Sequence, residues 1–277
     1  MKYVTLPQGE QVPALGMGTW MIGDDRASRA EEIAALQHGV DLGMSLIDTA
    51  EMYGDGASER LVGEAIRGRR ERVFLVSKVY PHHAGRKEMP AACERSLKRL
   101  GVDRLDLYLL HWRGGVPLAE TVDTFHRLQA QGKIRHWGVS NLDPGDMAEL
   151  VETPQGSQVA VNQVLYNLSR RGVEWNLLPW CEERRIPLMA YSPIEQARLL
   201  RHSGLRALAE ERGATPAQLA LAWLLRRNQL IAIPKTSNRA HVEENFAALE
   251  CPLDAETLAE LDRLFPPPSR ATPLEML

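Results

Sequence analysis

Eight short apolar runs, each followed by an amphipathic stretch, succeed one another between Leu15 and Leu249, and this alternation restricts the folds open to the chain. The runs Leu15–Thr19, Ser45–Thr49, Val73–Val79, Leu105–His111, His136–Ser140, Val159–Asn162, Pro187–Tyr191 and Leu230–Pro234 have the length and composition of strands. The stretches Ser28–Leu42, Ser58–Arg67, Lys87–Leu100, Leu118–Gln131, Pro144–Val151, Val173–Arg184, Pro216–Arg227 and Arg239–Leu249 read as helices. Gly43, Gly101 and Gly132 follow three of them as stops. Eight strand–helix units in about 250 residues match an α/β fold of the (β/α)₈ barrel type, with a doubly wound sheet as the competing layout. Tyr3–Leu6 and Gln11–Pro13, joined by Pro7-Gln8-Gly9-Glu10, predict an N-terminal β-hairpin. Ala255–Leu264 predicts one extra C-terminal helix before Pro266-Pro267-Pro268. No repeat or linker divides residues 1–277, which read as one domain.

Three of the strand runs end on a titratable side chain: Asp48, Lys78 and His111. A strand buried on both faces tolerates an unpaired charge only at a cost of several kcal/mol, so three such endings suggest groups converging on one site. In a barrel that site lies at the C-terminal ends of the strands. Tyr53, five residues beyond Asp48, supplies a phenol. Each residue also has a plainer reading: Lys78 and Asp48 as a structural pair, His111 as a core histidine, Tyr53 as a packed tyrosine. Together they repair one another. Asp48 keeps Lys78 charged, and the ammonium is expected to lower the Tyr53 pKa from roughly 10, which makes a better acid.

Composition narrows the partners. Net charge is −3 with basic residues dispersed, so neither nucleic acid nor a membrane surface is indicated. Cys93, Cys181 and Cys251 are odd in number and far apart, which suggests neither disulfides nor zinc and fits a reducing cytoplasm. No apolar run has the length of a signal core or membrane span. The pair His82-His83 does not make a metal site, and no metal is expected. Gly16-Met17-Gly18 is the one near match to a dinucleotide fingerprint, and Met21 at its third glycine position breaks it.

The chain resembles the aldo-keto reductases, barrel enzymes that reduce carbonyls with a nicotinamide cofactor. The resemblance is carried by Leu15-Gly16-Met17-Gly18-Thr19-Trp20, Asp48-Thr49-Ala50-Glu51-Met52-Tyr53-Gly54, Val76-Ser77-Lys78, Leu109-Leu110-His111-Trp112, Gly138-Val139-Ser140-Asn141, Asn162-Gln163, Ala190-Tyr191-Ser192-Pro193 and Ile233-Pro234-Lys235. It implies Tyr53 as general acid, Lys78 and Asp48 as its tuning pair, and His111 as carbonyl orienter. Gly18, Thr19, Trp20 and Asp48 would line the nicotinamide side. Ser140, Asn141 and Gln163 would hold the carboxamide, with loop capping the alternative for Asn141. Tyr191 would pack on the ring, and Ser192, Pro193 and Gln196 would run along the pyrophosphate.

The same resemblance assigns Lys235 and Thr236, with Ser237, to the 2′-phosphate of NADP, and Glu244 and Asn245 to adenine. Capping of the last barrel helix by Ser237 or Asn238 is the alternative. The family usually has arginine six residues after that lysine; this chain has His241, and Arg239 could substitute. NADPH is therefore expected, with use of NAD left open. Trp20, Tyr53, His111 and Trp112 would form a small aromatic substrate pocket, open because the long C-terminal loop of many relatives is missing. Arg113 could attract an anionic substrate or face water. The motif set is most similar to bacterial members that act on methylglyoxal, diketogluconate and related aldehydes. The expectation is a cytoplasmic, monomeric carbonyl reductase; the alternatives are a Schiff-base aldolase using Lys78 and a low-turnover nicotinamide-binding sensor.

Overall fold

The computed structural model describes residues 1–25 and 27–277. Eight parallel strands form one sheet in sequence order: β3 (Met17–Gly18), β4 (Leu46–Asp48), β5 (Phe74–Val79), β6 (Leu105–Leu110), β7 (Ile134–Ser140), β8 (Asn162–Leu165), β9 (Leu188–Tyr191) and β10 (Leu230–Ala232). Parallel bridges Leu15↔Ala232 and Gly18↔Lys235 bring the last strand back to the first, so the sheet closes into the predicted barrel. The strands are buried along almost their whole length because helices cover the outer face, the usual condition of a parallel sheet.

The helices are α1 (Arg29–Leu42), α2 (Ala57–Ala65), α3 (Glu88–Leu100), α4 (Leu118–Ala130), α5 (Pro144–Glu152), α6 (Leu177–Glu183), α7 (Ser203–Glu211), α8 (Pro216–Leu225), α9 (Arg239–Ala247) and α10 (Ala255–Leu264). Gly43 and Gly101 end α1 and α3 in left-handed conformation. Thr215 and Gln218 form a capping box at α8, with Pro216 in its first turn.

An antiparallel hairpin, β1 (Tyr3–Thr5) and β2 (Gln11–Pro13), sits at the end of the barrel opposite the titratable strand ends. Its buried Val4, Leu6 and Val12 pack into the core. Lys2 Nζ donates to the carbonyls of Leu225 and Arg227 at the end of α8, and Glu10 pairs with Arg135 and His136 at the start of β7.

Three details differ from the expectations. The sixth barrel strand is Asn162–Leu165, not Val159–Asn162. The apolar triplet before Asn162 feeds the ladder, but the strand proper begins with two buried polar residues that hydropathy does not mark. The Val173–Arg184 helix is divided into a single turn at Gly172–Glu174 and α6. Pro179 lies in the first turn of α6, where its missing N–H costs nothing, and Asn176 at φ −140° breaks the path before it. Between β9 and α8 lies α7, which was not expected. Its Leu205, Leu208 and Ala209 make a short buried stripe at helical spacing.

Candidate active site

Strand alternation decides which side chains reach the barrel mouth. On β5, Ser77 faces outward and donates to Glu59 of α2, while Lys78 faces inward. The Lys78 ammonium is fully buried, and its three N–H donors have three acceptors: Asp48 Oδ2 at 2.7 Å, the Thr49 carbonyl at 2.9 Å and the Tyr53 hydroxyl oxygen at 2.9 Å. The other Asp48 oxygen accepts from Gln163 Nε2 at 2.8 Å. Asp48 ends β4 and His111 follows β6 directly, with its ring centroid 5.9 Å from that of Tyr53. Four groups from three neighbouring strand ends and one loop therefore share the mouth.

Tyr53 reaches Lys78 because its loop is tightly wound. Gly54, Asp55 and Gly56 have φ of 55°, 49° and 78°, three left-handed residues in succession. A Cβ on Gly54 would fall 2.4 Å from the Asp24 carboxylate, and one on Gly56 equally close to Arg99, so neither position admits a side chain without rearrangement. A buried hydroxyl cluster fixes the same region: Ser58 Oγ donates to Thr19 and meets Thr49, and Thr19 Oγ1 donates to the Asp48 carbonyl.

The electrostatics correct one expectation. Burial depresses the Lys78 ammonium, but Asp48 and Tyr53 more than restore it, so Lys78 lies above the ordinary lysine value and stays charged. Burial also acts on Tyr53, and here it wins with help from the Asp48 charge: the phenol lies above its ordinary value although Lys78 pulls it down. Tyr53 is therefore a firmly protonated phenol, not one already poised to ionise. Because its oxygen accepts from Lys78, its O–H proton is free to point toward the mouth.

His111 is pushed down to about 2 by burial and by Lys78, which leaves it neutral. An unfolded histidine titrates near 6.5, so His111 contributes stability above that pH which is lost as pH falls toward 2. The expected result is a loss of unfolding free energy between about pH 6.5 and 5 that His111→Gln reduces, read from urea midpoints at each pH. An unchanged slope would mean that His111 protonates freely.

These groups open into a cavity of about 460 Å³, within the usual range of small-ligand sites. Of the expected cofactor and substrate residues, Gly18, Thr19, Trp20, Trp112, Ser140, Asn141, Gln163, Tyr191, Ser192, Pro193, Gln196 and Lys235 line it with Asp48, Tyr53 and His111. Tyr191 donates its hydroxyl proton to Asn141 Oδ1 at 3.0 Å, and Asn141 Nδ2 donates to the His111 carbonyl. Asn141 thus joins two strand ends at the mouth, and Asp143 caps α5. Ser192 Oγ is buried and has no hydrogen-bond partner among the described residues, a vacancy that a polar group in the cavity can fill.

Thr236, Ser237, Arg239, His241, Glu244 and Asn245 lie outside that lining, at and along α9. Asn238 is the cap: its side-chain oxygen accepts from the amides of Ala240 and His241. Arg239 and His241 are exposed, and the Arg239 guanidinium is 3.4 Å from His38 Nδ1.

Two substrate-side expectations need correction. Arg113 does not wait for an anion: it is partly exposed, and Asp146 and Glu149 of α5 hold it at 2.5 and 2.7 Å. The mouth is also less open than expected, since Met276 and Leu277 line the cavity. Met21, Met52 and Ile194 are further lining residues to which the sequence reading gave no part in the site. His82 and His83 lie tilted against each other beside Tyr80, which meets Trp112 edge-on, and His83 meets Glu51 at 3.0 Å. Among the described residues, no cluster of three potential metal ligands occurs and no helix is long and apolar enough to cross a membrane.

Residues 14–265 match the model of the aldo/keto reductase family. The chain is 51% identical over 271 residues to methylglyoxal reductase YeaE of Escherichia coli, covering 96% of this chain and 95% of that one. The fold is similar to the crystal structure of an aldo/keto reductase from Klebsiella pneumoniae in complex with NADP and acetate. The TM-score is 0.97 and the identity 53%, with 100% of this chain and 99% of that chain covered. A Klebsiella pneumoniae aldo-keto reductase in complex with NADPH matches with the same TM-score and coverage at 54% identity.

Proposed function

The chain belongs to the aldo/keto reductase family, and we propose that it reduces small aldehydes and α-dicarbonyls of the methylglyoxal type with NADPH. The observation that carries this reading is the three-way coordination of Lys78, which holds a protonated Tyr53 at the cavity floor beside a neutral His111. A nicotinamide dinucleotide held in this cavity would supply the hydride for the carbonyl carbon. Tyr53 donates its proton to the carbonyl oxygen as charge develops there, and Lys78 stabilises the phenolate left behind. His111, neutral, donates a hydrogen bond that holds the same oxygen. The amine of Lys78 is no nucleophile in this arrangement, since all three donors are committed and the group is charged; this disfavours an aldolase.

Ser140, Asn141 and Gln163 would hold the carboxamide, Tyr191 the ring, and Ser192–Gln196 the pyrophosphate, where the unpartnered Ser192 Oγ suits a phosphate or amide group. Lys235 with Thr236, Ser237 and Arg239 would receive the 2′-phosphate, with His241 in reach of the same end of α9 and Glu244 and Asn245 beside the adenine.

The test is turnover of methylglyoxal, glyoxal and simple aldehydes with NADPH and with NADH. Oxidation of NADPH by at least one dicarbonyl is expected, whereas tight binding without turnover would favour the sensor. His241→Arg should raise the NADPH/NADH ratio of kcat/KM by about three- to tenfold, the net worth of about one added hydrogen bond of ordinary strength at an exposed site. An unchanged ratio would remove His241 from the account of cofactor choice.

A further inference from the structure

Two carboxylates from distant parts of the chain meet on Arg170. One is Glu195, in a segment whose Ser192, Glu195, Gln196 and Ala197 have φ of 49°, 51°, 52° and 66°. Left-handed backbone disfavours residues with a side chain, so four such residues persist only where their surroundings over-determine them. Those surroundings are specific. Buried Asn167 donates through Nδ2 to the Ser192 carbonyl at 2.9 Å and to Glu195 Oε2 at 2.7 Å. Arg170 donates through Nε and Nη2 to Glu195 Oε1, both at 3.1 Å, and Arg198 donates to the same oxygen. Burial raises the Glu195 carboxyl, but Asn167 and Arg170 outweigh it and hold the group below its ordinary value.

The remaining arm of Arg170 turns to the other carboxylate: Nη1 donates to Glu275 Oε1 at 2.5 Å. Thr272 lies against Gly172, and Leu274 packs on the core, so the tail is seated before it reaches Arg170. The two residues after Glu275 are Met276 and Leu277, which line the same cavity as Ser192, Gln196 and Ala197 of the strained segment. One guanidinium therefore ties the strained loop to the tail, and both contribute residues to the same cavity.

We propose that Arg170 is a positioning residue that couples these two segments, so that ordering of residues 192–198 over bound NADPH also sets Met276 and Leu277 in the cavity that receives the carbonyl substrate. This rests on the reductase reading above. A fork-shaped guanidinium suits the task because it engages two carboxylates at once through different edges. The strained segment has a ready alternative in relaxed backbone, and dinucleotide contacts shift that balance. Arg170 passes the shift to the tail.

The experiment is hydrogen exchange of the tail peptide with and without NADPH, in the wild type, Glu275→Gln and Arg170→Met. NADPH should slow exchange of residues 271–277 in the wild type by up to about fivefold, the reach of one exposed ion pair. Both variants should bind NADPH and lose that slowing. Glu275→Gln, an exposed change that leaves Arg170–Glu195 intact, should also raise KM for the carbonyl by about two- to fivefold with kcat little changed. Equal slowing in Glu275→Gln and wild type, or none in the wild type with NADPH bound, overturns the coupling. Failure of the wild type to bind NADPH overturns the reductase reading and the coupling with it.

Discussion

Tyr53→Phe should lower kcat for carbonyl reduction by about 10²- to 10⁴-fold, the usual worth of a positioned general acid, while NADPH binds with little change. No neighbour can replace the lost proton. Lys78 stays held by Asp48 and the Thr49 carbonyl and remains charged, and His111 is neutral, with its imidazolium form confined to pH values near 2. Phenylalanine preserves the ring beside Lys78, 4.6 Å from the ammonium to the ring centroid, so packing around the cavity should survive. One Lys78 N–H then loses its acceptor inside a buried site, which should cost about 1–3 kcal/mol of stability. Pre-steady-state NADPH titration and single-turnover reduction separate the two effects. A variant that binds NADPH and reduces methylglyoxal at the wild-type rate removes Tyr53 from proton donation.

That expectation does not need an acidified phenol. Burial and the Asp48 charge hold Tyr53 above the ordinary tyrosine value against the pull of Lys78. Catalysis depends on how the site treats the phenolate that forms, not on how readily the resting phenol ionises. Lys78 faces that oxygen at 2.9 Å and is itself fully buried, so its charge is little screened as the proton leaves. The same burial that keeps the resting site protonated strengthens its response to developing charge.

The strand ends were readable because Asp48, Lys78 and His111 each interrupt an apolar run, and a buried charge must have a partner. The alternation, a purely local pattern, announced eight strand–helix units and left a barrel and a doubly wound sheet in competition; the bridge of Leu15 to Ala232 decides for the barrel. What escaped the sequence depends on distance in the chain or on degree of burial. The sign of the Tyr53 shift is a balance of desolvation against two charges at opposite sides, and only coordinates set that balance. Arg113 meets Asp146 and Glu149 across more than thirty positions, with nothing local to announce the pairing. Met276 and Leu277 carry no periodicity, so their place in the cavity follows from the docking of Leu274 and Glu275 alone. The start of β8 was misplaced for the converse reason. Asn162 and Gln163 are polar yet buried, since Asn162 donates to the Leu142 carbonyl and Gln163 to Asp48.

Lys78→Met should be the most destabilising single change at the site, by about 3–5 kcal/mol, because it leaves the Asp48 carboxylate buried with no counter-charge. At about 2–4 °C per kcal/mol for a chain near this size, the melting temperature should fall by roughly 10 °C. The Gln163 hydrogen bond to Asp48 remains, but one amide donor does not replace an ammonium at 2.7 Å. Activity should vanish with the cation, and instability alone could produce that loss. The double variant Asp48→Asn, Lys78→Met separates the causes. Removing both charges relieves the unpaired carboxylate, so most of the melting temperature should return, since a buried pair contributes little net stability against a neutral replacement. Carbonyl reduction should stay absent, because nothing then stabilises the Tyr53 phenolate. A Lys78→Met protein that melts with the wild type would show that Asp48 is solvated. A double variant that regains turnover would show that the ammonium serves the fold and not the chemistry.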